Sequence, residues 1–324
     1  MTLLRLSPES LARTSFALSP LAETMASFVA LREGHPPPWL RSWHDRHQGD
    51  FADLVCDDLA RGLVDLLRAT RWIPDFIAPP PRGGMATSIE SELAVVAATD
   101  DCQVRRDFER SAQDHASGSL PHGLAGRDLA ARTAHVLDRV WSSFVAHDWP
   151  RRRAILERDV MHRAGLLGAY GWARAVDELR PGTRWVGDDA IRINDNPYPD
   201  RSVSDAGLSL VPITFPGGWL CEGEPDEYAL IYPARGVGLD DAPVAGGLGR
   251  LLGRTRARIL LDLERSATTS QLTAALGVSL GTVGDHLAVL RAGGLVARTR
   301  VGHEVVYRRT ELGYQLCESG RSGS

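Results

Sequence analysis

The chain contains no lysine, because all of its 37 basic residues are arginine. Chemistry that needs a lysine amine is therefore excluded. This excludes a pyridoxal Schiff base, a Walker A lysine, a kinase strand lysine and an S-x-x-K acylation site.

Cysteine is scarce, with four residues that lie far apart and form no C-x-x-C pair. This spacing excludes a small zinc ribbon or a disulfide framework and is typical of a reducing compartment. No apolar run approaches the roughly 18 residues of a membrane span, and none near the start has the length of a signal peptide. We therefore expect a cytoplasmic protein with no membrane partner.

Length and charge indicate two domains. The 324 residues are about twice the usual length of one domain. Residues 246–324 carry 11 arginines against 6 acids (+5), and residues 1–245 carry 26 arginines against 35 acids (−9), which sum to the net charge of −4. We predict an N-terminal domain over 1–240 and a C-terminal domain over 246–318. We expect any contact with a polyanion in the C-terminal domain, because that domain carries the net positive charge.

The N-terminal domain is predicted to be α+β, mainly helical with a small antiparallel sheet. Apolar residues recur with helical spacing in its first part, and short stretches rich in Val, Ile, Tyr and Trp follow between turn residues. The predicted helices cover Leu21–Arg32, Phe51–Thr70, Ser88–Thr99 and Asp128–His147. The predicted strands cover Thr183–Ile193, Leu208–Phe215 and Glu227–Pro233.

The C-terminal domain shows the spacing of a helix-turn-helix. An amphipathic helix over Leu251–Leu263 precedes Thr268-Thr-Ser-Gln271, a capping box that starts a second helix. Gly277 ends that helix, and Ser279 caps a third. The third helix directs one apolar face inward, formed by Val283, Leu287 and Leu290.

A β-hairpin is predicted after the third helix. Gly293-Gly294 ends the helix, and two strands over Leu295–Arg300 and Glu304–Arg309 are joined by a turn at Val301–His303. A last helix over Glu311–Cys317 closes the domain. A hairpin in this place, with arginines at its tip and edges, is a wing, so we predict a C-terminal winged helix-turn-helix domain.

The segment Ser279–Val296 with Arg300–Tyr307 resembles ArsR/SmtB-type winged-helix transcriptional regulators. It combines H-L-x-x-L-R from His286, the G-L-V strand from Gly294 and R-x-G-x-x-V-x-Y, in this order. The resemblance covers less than a quarter of the chain. It implies a homodimer that reads two half-sites of double-stranded operator DNA, roughly 34–36 Å apart.

The resemblance also implies which residues contact DNA. The groove-facing residues would be Ser279, Gly281, Thr282, Asp285 and His286, and the backbone or wing contacts Arg291, Arg298, Arg300 and Arg308. Thr268 and His303 complete the candidate set. Two residues depart from the family pattern: Gly284 loosens the third helix by about 1 kcal/mol relative to alanine, and the carboxylate of Asp285 repels phosphate, although it could accept from a cytosine amine.

Metal binding is not expected. The segment Gln271–Ala275 lacks the cysteine pair that metal sensors of this family carry, and Cys317 has no partner ligands beside it. His44, His47 and Asp50 have a spacing that could bind a metal, but we interpret them as a solvated helix face. No nucleophile–base pair is evident in residues 1–245, so we predict no enzyme and no cofactor.

The function predicted is sequence-specific DNA binding in transcription regulation. The N-terminal domain would supply dimer contacts and a site for a small non-metal effector, since eight tryptophans leave open either core aromatics or an aromatic-lined pocket. Arg151-Arg152-Arg153 is interpreted as a solvated helix start. The alternative is that residues 1–240 form an enzyme or a protein-interaction domain that the winged helix tethers to DNA.

Overall fold

In the computed structural model the chain divides into two compact units, Met1–Pro36 with Arg41–Arg235 and Pro37–Leu40 with Gly236–Ser324. The structure describes residues 2–37, 39–114, 119–177, 179–180, 182–194, 198–203, 205, 207–223, 226–235, 247–263, 266–276, 280–301 and 304–321. Within these ranges, none of the helices combines the length and apolarity needed to cross a membrane.

Most helices of the N-terminal unit start at a side chain that accepts from a first-turn N–H group, which would otherwise lack a partner. These caps are Ser7, Ser19, Asp57, Ser88 and Asp100. The helices are α1 (Pro8–Arg13), α2 (Pro20–Arg32), α3 (Arg41–Leu54), α4 (Asp58–Ala69), α5 (Ile89–Ala97), α6 (Asp101–Gln113), α7 (Leu129–Val140) and α8 (Trp149–Val176).

The four predicted helices are present; α2 and α5 lie within two residues of the predicted bounds, and the other two differ more. The segment Phe51–Thr70 is divided, because α3 ends at Leu54 and the Asp57 carboxylate accepts from the Ala60 N–H to start α4. The predicted helix over Asp128–His147 passes from α7 into a π-helical turn at Trp141–Val145.

The strands of the N-terminal unit form two sheets, with the orders β3-β4-β1-β5 and β2-β6-β8-β7. They are β1 (Thr2–Arg5), β2 (Ser15–Phe16), β3 (Arg184–Val186), β4 (Ala190–Asn194), β5 (Arg201–Ser202), β6 (Leu208–Ile213), β7 (Leu220–Gly223) and β8 (Glu227–Pro233). The prediction of one small antiparallel sheet is therefore wrong.

The pairing of β6 with β8 is parallel, with Leu210 opposite Leu230. This direction arises because β7 and β8 form an antiparallel hairpin and β8 returns between β7 and β6. The five central residues of β8 are all buried. A continuous buried run is typical of a strand covered on both faces.

A buried ion pair joins α2 to α8. Glu23 has no exposed surface, and its Oε1 lies 3.0 Å from Nη1 of Arg152. The Thr214 N–H donates to the other carboxylate oxygen at 2.8 Å, and the guanidinium carbon of Arg152 lies 4.7 Å from the Phe215 ring centroid. The interpretation of Arg151–Arg153 as a solvated helix start is thus wrong for Arg152. This residue is buried beside Glu23, which lies far away in the sequence.

The C-terminal unit consists of α9 (Gly247–Leu252), α10 (Arg254–Asp262), β9 (Ala267–Thr268), α11 (Thr269–Leu276), α12 (Leu280–Ala292), β10 (Val296–Val301), β11 (Glu304–Arg309) and α13 (Glu311–Arg321). Its strands have the order β10-β11-β9. The helix predicted over Leu251–Leu263 is divided at Gly253, whose φ of 80° is left-handed and favours glycine. The core of this unit is built around Ile259, Leu260, Leu263, Leu272, Val283, Leu287 and Leu290.

Candidate nucleic-acid interface

The start of α11 is a capping box, as predicted. The Thr268 N–H donates to Oε1 of Gln271 at 2.8 Å, and the Gln271 N–H donates to Oγ1 of Thr268 at 3.2 Å. Thr268 also lies opposite Val306 in the pairing of β9 with β11. Its hydroxyl therefore serves the helix start, and the residue as a whole is half-buried.

The inner face of α12 fixes the direction of its outer face. Val283, Leu287 and Leu290 are at most 1% exposed, so they hold α12 against the core of the C-terminal unit. Each residue turns the helix by about 100°, so a residue two positions from a buried one lies close to the opposite side of the helix. This outward surface is exposed and contains Gly281, Asp285, Ala288, Val289 and Ala292.

Most of the sequence-predicted contact residues of α12 are accessible. Gly281, Thr282, Asp285 and Arg291 are exposed, and His286 is half-buried. Ser279 and His303 lie outside the described residues. Sequence reasoning missed Ala288 and Val289, although the helical periodicity that assigns Val283 inward would have found them.

The strand register divides the arginines of the hairpin between its two faces. Arg298 lies opposite Tyr307, Arg300 opposite Val305, and Arg308 opposite Ala297. Opposed residues and alternate residues share a face, so Arg298 and Arg300 lie on one face and Arg308 on the other. All three arginines are exposed. The hairpin therefore carries positive charge on both of its faces.

Arg309, next to the exposed Arg308, has a different environment. It is 4% exposed, and its Nε donates to the Leu260 carbonyl oxygen at 2.6 Å. A second guanidinium nitrogen donates to the carbonyl of Leu261. These carbonyls lie in the last turn of α10, where backbone acceptors lack helical partners. Arg309 therefore stabilises the end of α10, and the alternation of β11 separates it from Arg308.

The histidines of α3 do not form a solvated face, contrary to the prediction. His44 is 7% exposed, and its Nε2 lies 2.9 Å from the Glu33 carbonyl oxygen and 2.9 Å from Nε2 of Gln48. The His47 ring centroid lies 5.1 Å from that of Trp43, and burial lowers the pKa of His47. Among the described residues, no group of three or more His, Cys, Asp or Glu side chains could hold a metal ion.

The N-terminal unit contains a cluster of aromatic, acidic and basic side chains, the Trp72 cluster, formed by Trp72, Asp75, Asp107, Arg110 and Arg201. The guanidinium carbons of Arg110 and Arg201 lie 3.3 Å and 5.1 Å from the Trp72 ring centroid. Burial, with a smaller contribution from the Asp107 charge, raises the pKa of Asp75 to about 7. Burial also raises the pKa of Asp107. The charge of this cluster therefore changes close to neutral pH.

Comparison with known proteins identifies the class of the C-terminal unit. Residues 251–299 match the family model of a helix-turn-helix domain. No curated protein and no solved structure matches the chain. The matched segment spans 49 residues, less than a sixth of the 324-residue chain. The helix-turn-helix match indicates binding to double-stranded DNA and a role in transcription regulation.

Proposed function

We propose that the chain is a winged-helix transcription regulator of the ArsR type, which binds operator DNA as a homodimer. One observation carries this proposal: α12 is followed directly by a hairpin that exposes arginines on both faces. A helix of this kind fits the major groove, while arginines of a flanking hairpin reach phosphates or the neighbouring minor groove.

Four arginines, the candidates Arg291, Arg298, Arg300 and Arg308, set the expected salt dependence. All four side chains are exposed. If each neutralises one phosphate, log K against log salt falls with a slope of about −3.6 per protomer, or about −7 for a dimer. Binding to any duplex should weaken steeply as salt rises, because these contacts are not specific to base sequence.

The experiment is fluorescence anisotropy of the full chain with duplex DNA from upstream of its own gene. A random duplex of equal length is the control, and the salt concentration runs from about 50 to about 200 mM. We expect tight binding to the upstream duplex and weaker, steeply salt-dependent binding to the random one. Equal weak binding to both would contradict sequence-specific regulation.

Two adjacent arginines supply a matched pair of variants. Arg308→Ala should weaken binding to every duplex and make the salt slope of the dimer shallower by about 2, since each protomer loses one phosphate contact, with an unchanged melting temperature. Arg309→Ala should lower the melting temperature, because the Leu260 carbonyl then loses its buried donor. Wild-type affinity and salt slope in Arg308→Ala would contradict a DNA-contacting hairpin.

For the N-terminal unit we propose a non-enzymatic role, in dimer contacts and in sensing a small effector. The Trp72 cluster supports the second part, since perturbed carboxyl groups beside aromatic and cationic side chains are common in ligand sites. An effector that favours one dimer geometry would change the half-site separation and so the operator affinity.

The test of effector sensing is the melting temperature of the full chain across a broad metabolite panel. A true effector should stabilise the wild type more than Arg110→Ala, which removes an exposed guanidinium from the Trp72 cluster. No stabilising compound in the panel would contradict effector sensing. Light scattering tests the dimer separately, and a monomer at assay concentration would contradict that part.

A further inference from the structure

The outward surface of α12 has an unusual composition for a surface in the major groove. Gly281, Ala288, Val289 and Ala292 contribute small or apolar groups, and Asp285 contributes the one charge of this set. The carboxylate of Asp285 has no hydrogen-bond or ion-pair partner among the described residues. It is therefore free to accept from a donor on DNA.

Only one base presents a donor to Asp285 without an acceptor of its own beside that donor. In the major groove guanine presents two acceptors and thymine presents one, and both repel a carboxylate. Adenine presents an amino donor beside the N7 acceptor, so one carboxylate oxygen meets a donor while N7 repels the other. Cytosine presents an amino donor with no acceptor beside it. A carboxylate at this position thus selects for cytosine.

Val289 lies one helical turn beyond Asp285, and the residue is 49% exposed. Four residues of helix correspond to about 6 Å along the axis, which is within about two base pairs at 3.4 Å per pair. The base group that an apolar side chain recognises in the major groove is the 5-methyl of thymine. The small residues at positions 281, 288 and 292 allow the backbone to approach the bases closely.

We infer that α12 specifies a half-site containing a cytosine, read by Asp285, and a thymine within about two base pairs of it, read by Val289. The inference rests on the proposed function, because it requires that α12 lies in the major groove. The cost of bringing a carboxylate among phosphates is offset only at sites that offer the cytosine amine. The same carboxylate therefore weakens binding to all other sequences.

The experiment is selection of duplexes from a randomised library by the full chain, in parallel with Asp285→Asn and Asp285→Ala. The wild type should enrich a cytosine. Asp285→Asn should replace it by adenine at the same position, because an amide pairs with both the amino group and N7 of adenine. Asp285→Ala should enrich no base there. In the selected duplex, we expect replacement of the cytosine to cost about tenfold in wild-type affinity.

The thymine contact is tested by replacing thymine with uracil in the selected duplex, which removes only the methyl group. The wild type should lose affinity several-fold, and Val289→Ala should bind the two duplexes equally. Arg308→Ala is the control, since it should weaken binding to all duplexes and leave the selected sequence unchanged.

The outcomes separate the inference from the proposed function. If no sequence is enriched by the wild type, the proposed function fails and the inference with it. If a motif is enriched but Asp285→Asn selects the same motif, the inference is overturned, while the proposed function as a transcription regulator is not contradicted. An Asp285→Asn variant that binds all duplexes more tightly, without a changed preference, would show that the carboxylate only repels phosphate.

Discussion

The buried carboxyl group of Glu92 makes the stability of the N-terminal unit depend on pH. The side chain is on α5 and the residue is 4% exposed. The Ser19 hydroxyl lies 2.5 Å from its Oε1, and the Leu21 N–H donates to Oε2 at 2.8 Å. Burial nevertheless dominates and raises the pKa of Glu92 from 4.5 to about 7.

The sign of the effect follows from proton binding. Between pH 4.5 and about 7 the folded chain holds a proton at Glu92 that the unfolded chain has lost. Stability therefore falls as the pH rises through this window, by about 3 kcal/mol in total. Glu92→Gln should remove this loss, because the amide does not ionise and its oxygen can still accept from the Leu21 N–H.

We expect the wild type and Glu92→Gln to have equal stability at the acidic end of the window. Above neutral pH the variant should be more stable by about 3 kcal/mol, which corresponds to about 6–12 °C in melting temperature for a unit of this size. The assay is thermal and urea unfolding of both full chains from about pH 4 to about pH 8. Asp75 titrates in both, so the difference between the curves isolates Glu92. A difference that does not change with pH, or a variant less stable above neutral pH, would refute the reasoning.

Two further pairs of variants test the packing. Arg152→Ala should lower the free energy of unfolding by about 3–5 kcal/mol, because it leaves the Glu23 charge buried and unpaired. Arg153→Ala, on the exposed side of the same helix, should lower it by less than about 0.5 kcal/mol. Equal losses of the two variants in urea unfolding would contradict the buried pair. Gly284→Ala should stabilise α12 by about 1 kcal/mol, because a Cβ there meets nothing within 4 Å. Gly313→Ala should lower the melting temperature, because the added Cβ would clash with the backbone carbonyl oxygen of Leu295. Melting temperatures that shift in the same direction for both glycine variants would refute this contrast.

Contacts between residues close together in the sequence were easier to predict than contacts between residues far apart. The capping box of Thr268 and Gln271 was predictable, because both partners lie within one helical turn. The inward face of α12 followed from periodicity in the same way. The ion pair of Glu23 with Arg152 joins residues 129 positions apart, and no periodicity links them. The sequence of Arg151–Arg153 alone therefore favoured exposure.

Strand positions were predicted only in part, since β1, β2, β5 and β7 were not predicted and the strand expected over Thr183–Ile193 is divided into β3 and β4. The strand over Glu227–Pro233 was predicted with the bounds observed, because its composition and its flanking turn residues are local. Its parallel pairing with β6 depends on β7 lying at the edge of the sheet, which composition does not encode. Likewise, alternation places Arg308 and Arg309 on opposite faces, but only the packing of β11 near the end of α10 determines which one is buried.

The position of β1 within its sheet has a consequence for synthesis of the chain. Leu4 pairs opposite Ile191, a partner that is made 187 residues later. At about 5–20 residues per second, the first strand waits about 10–40 s on the ribosome before its neighbour exists. Leu4, which has no exposed surface in the folded protein, lacks this partner throughout that interval. The nascent chain thus presents an unpaired apolar strand, the condition under which chaperones act on proteins during translation.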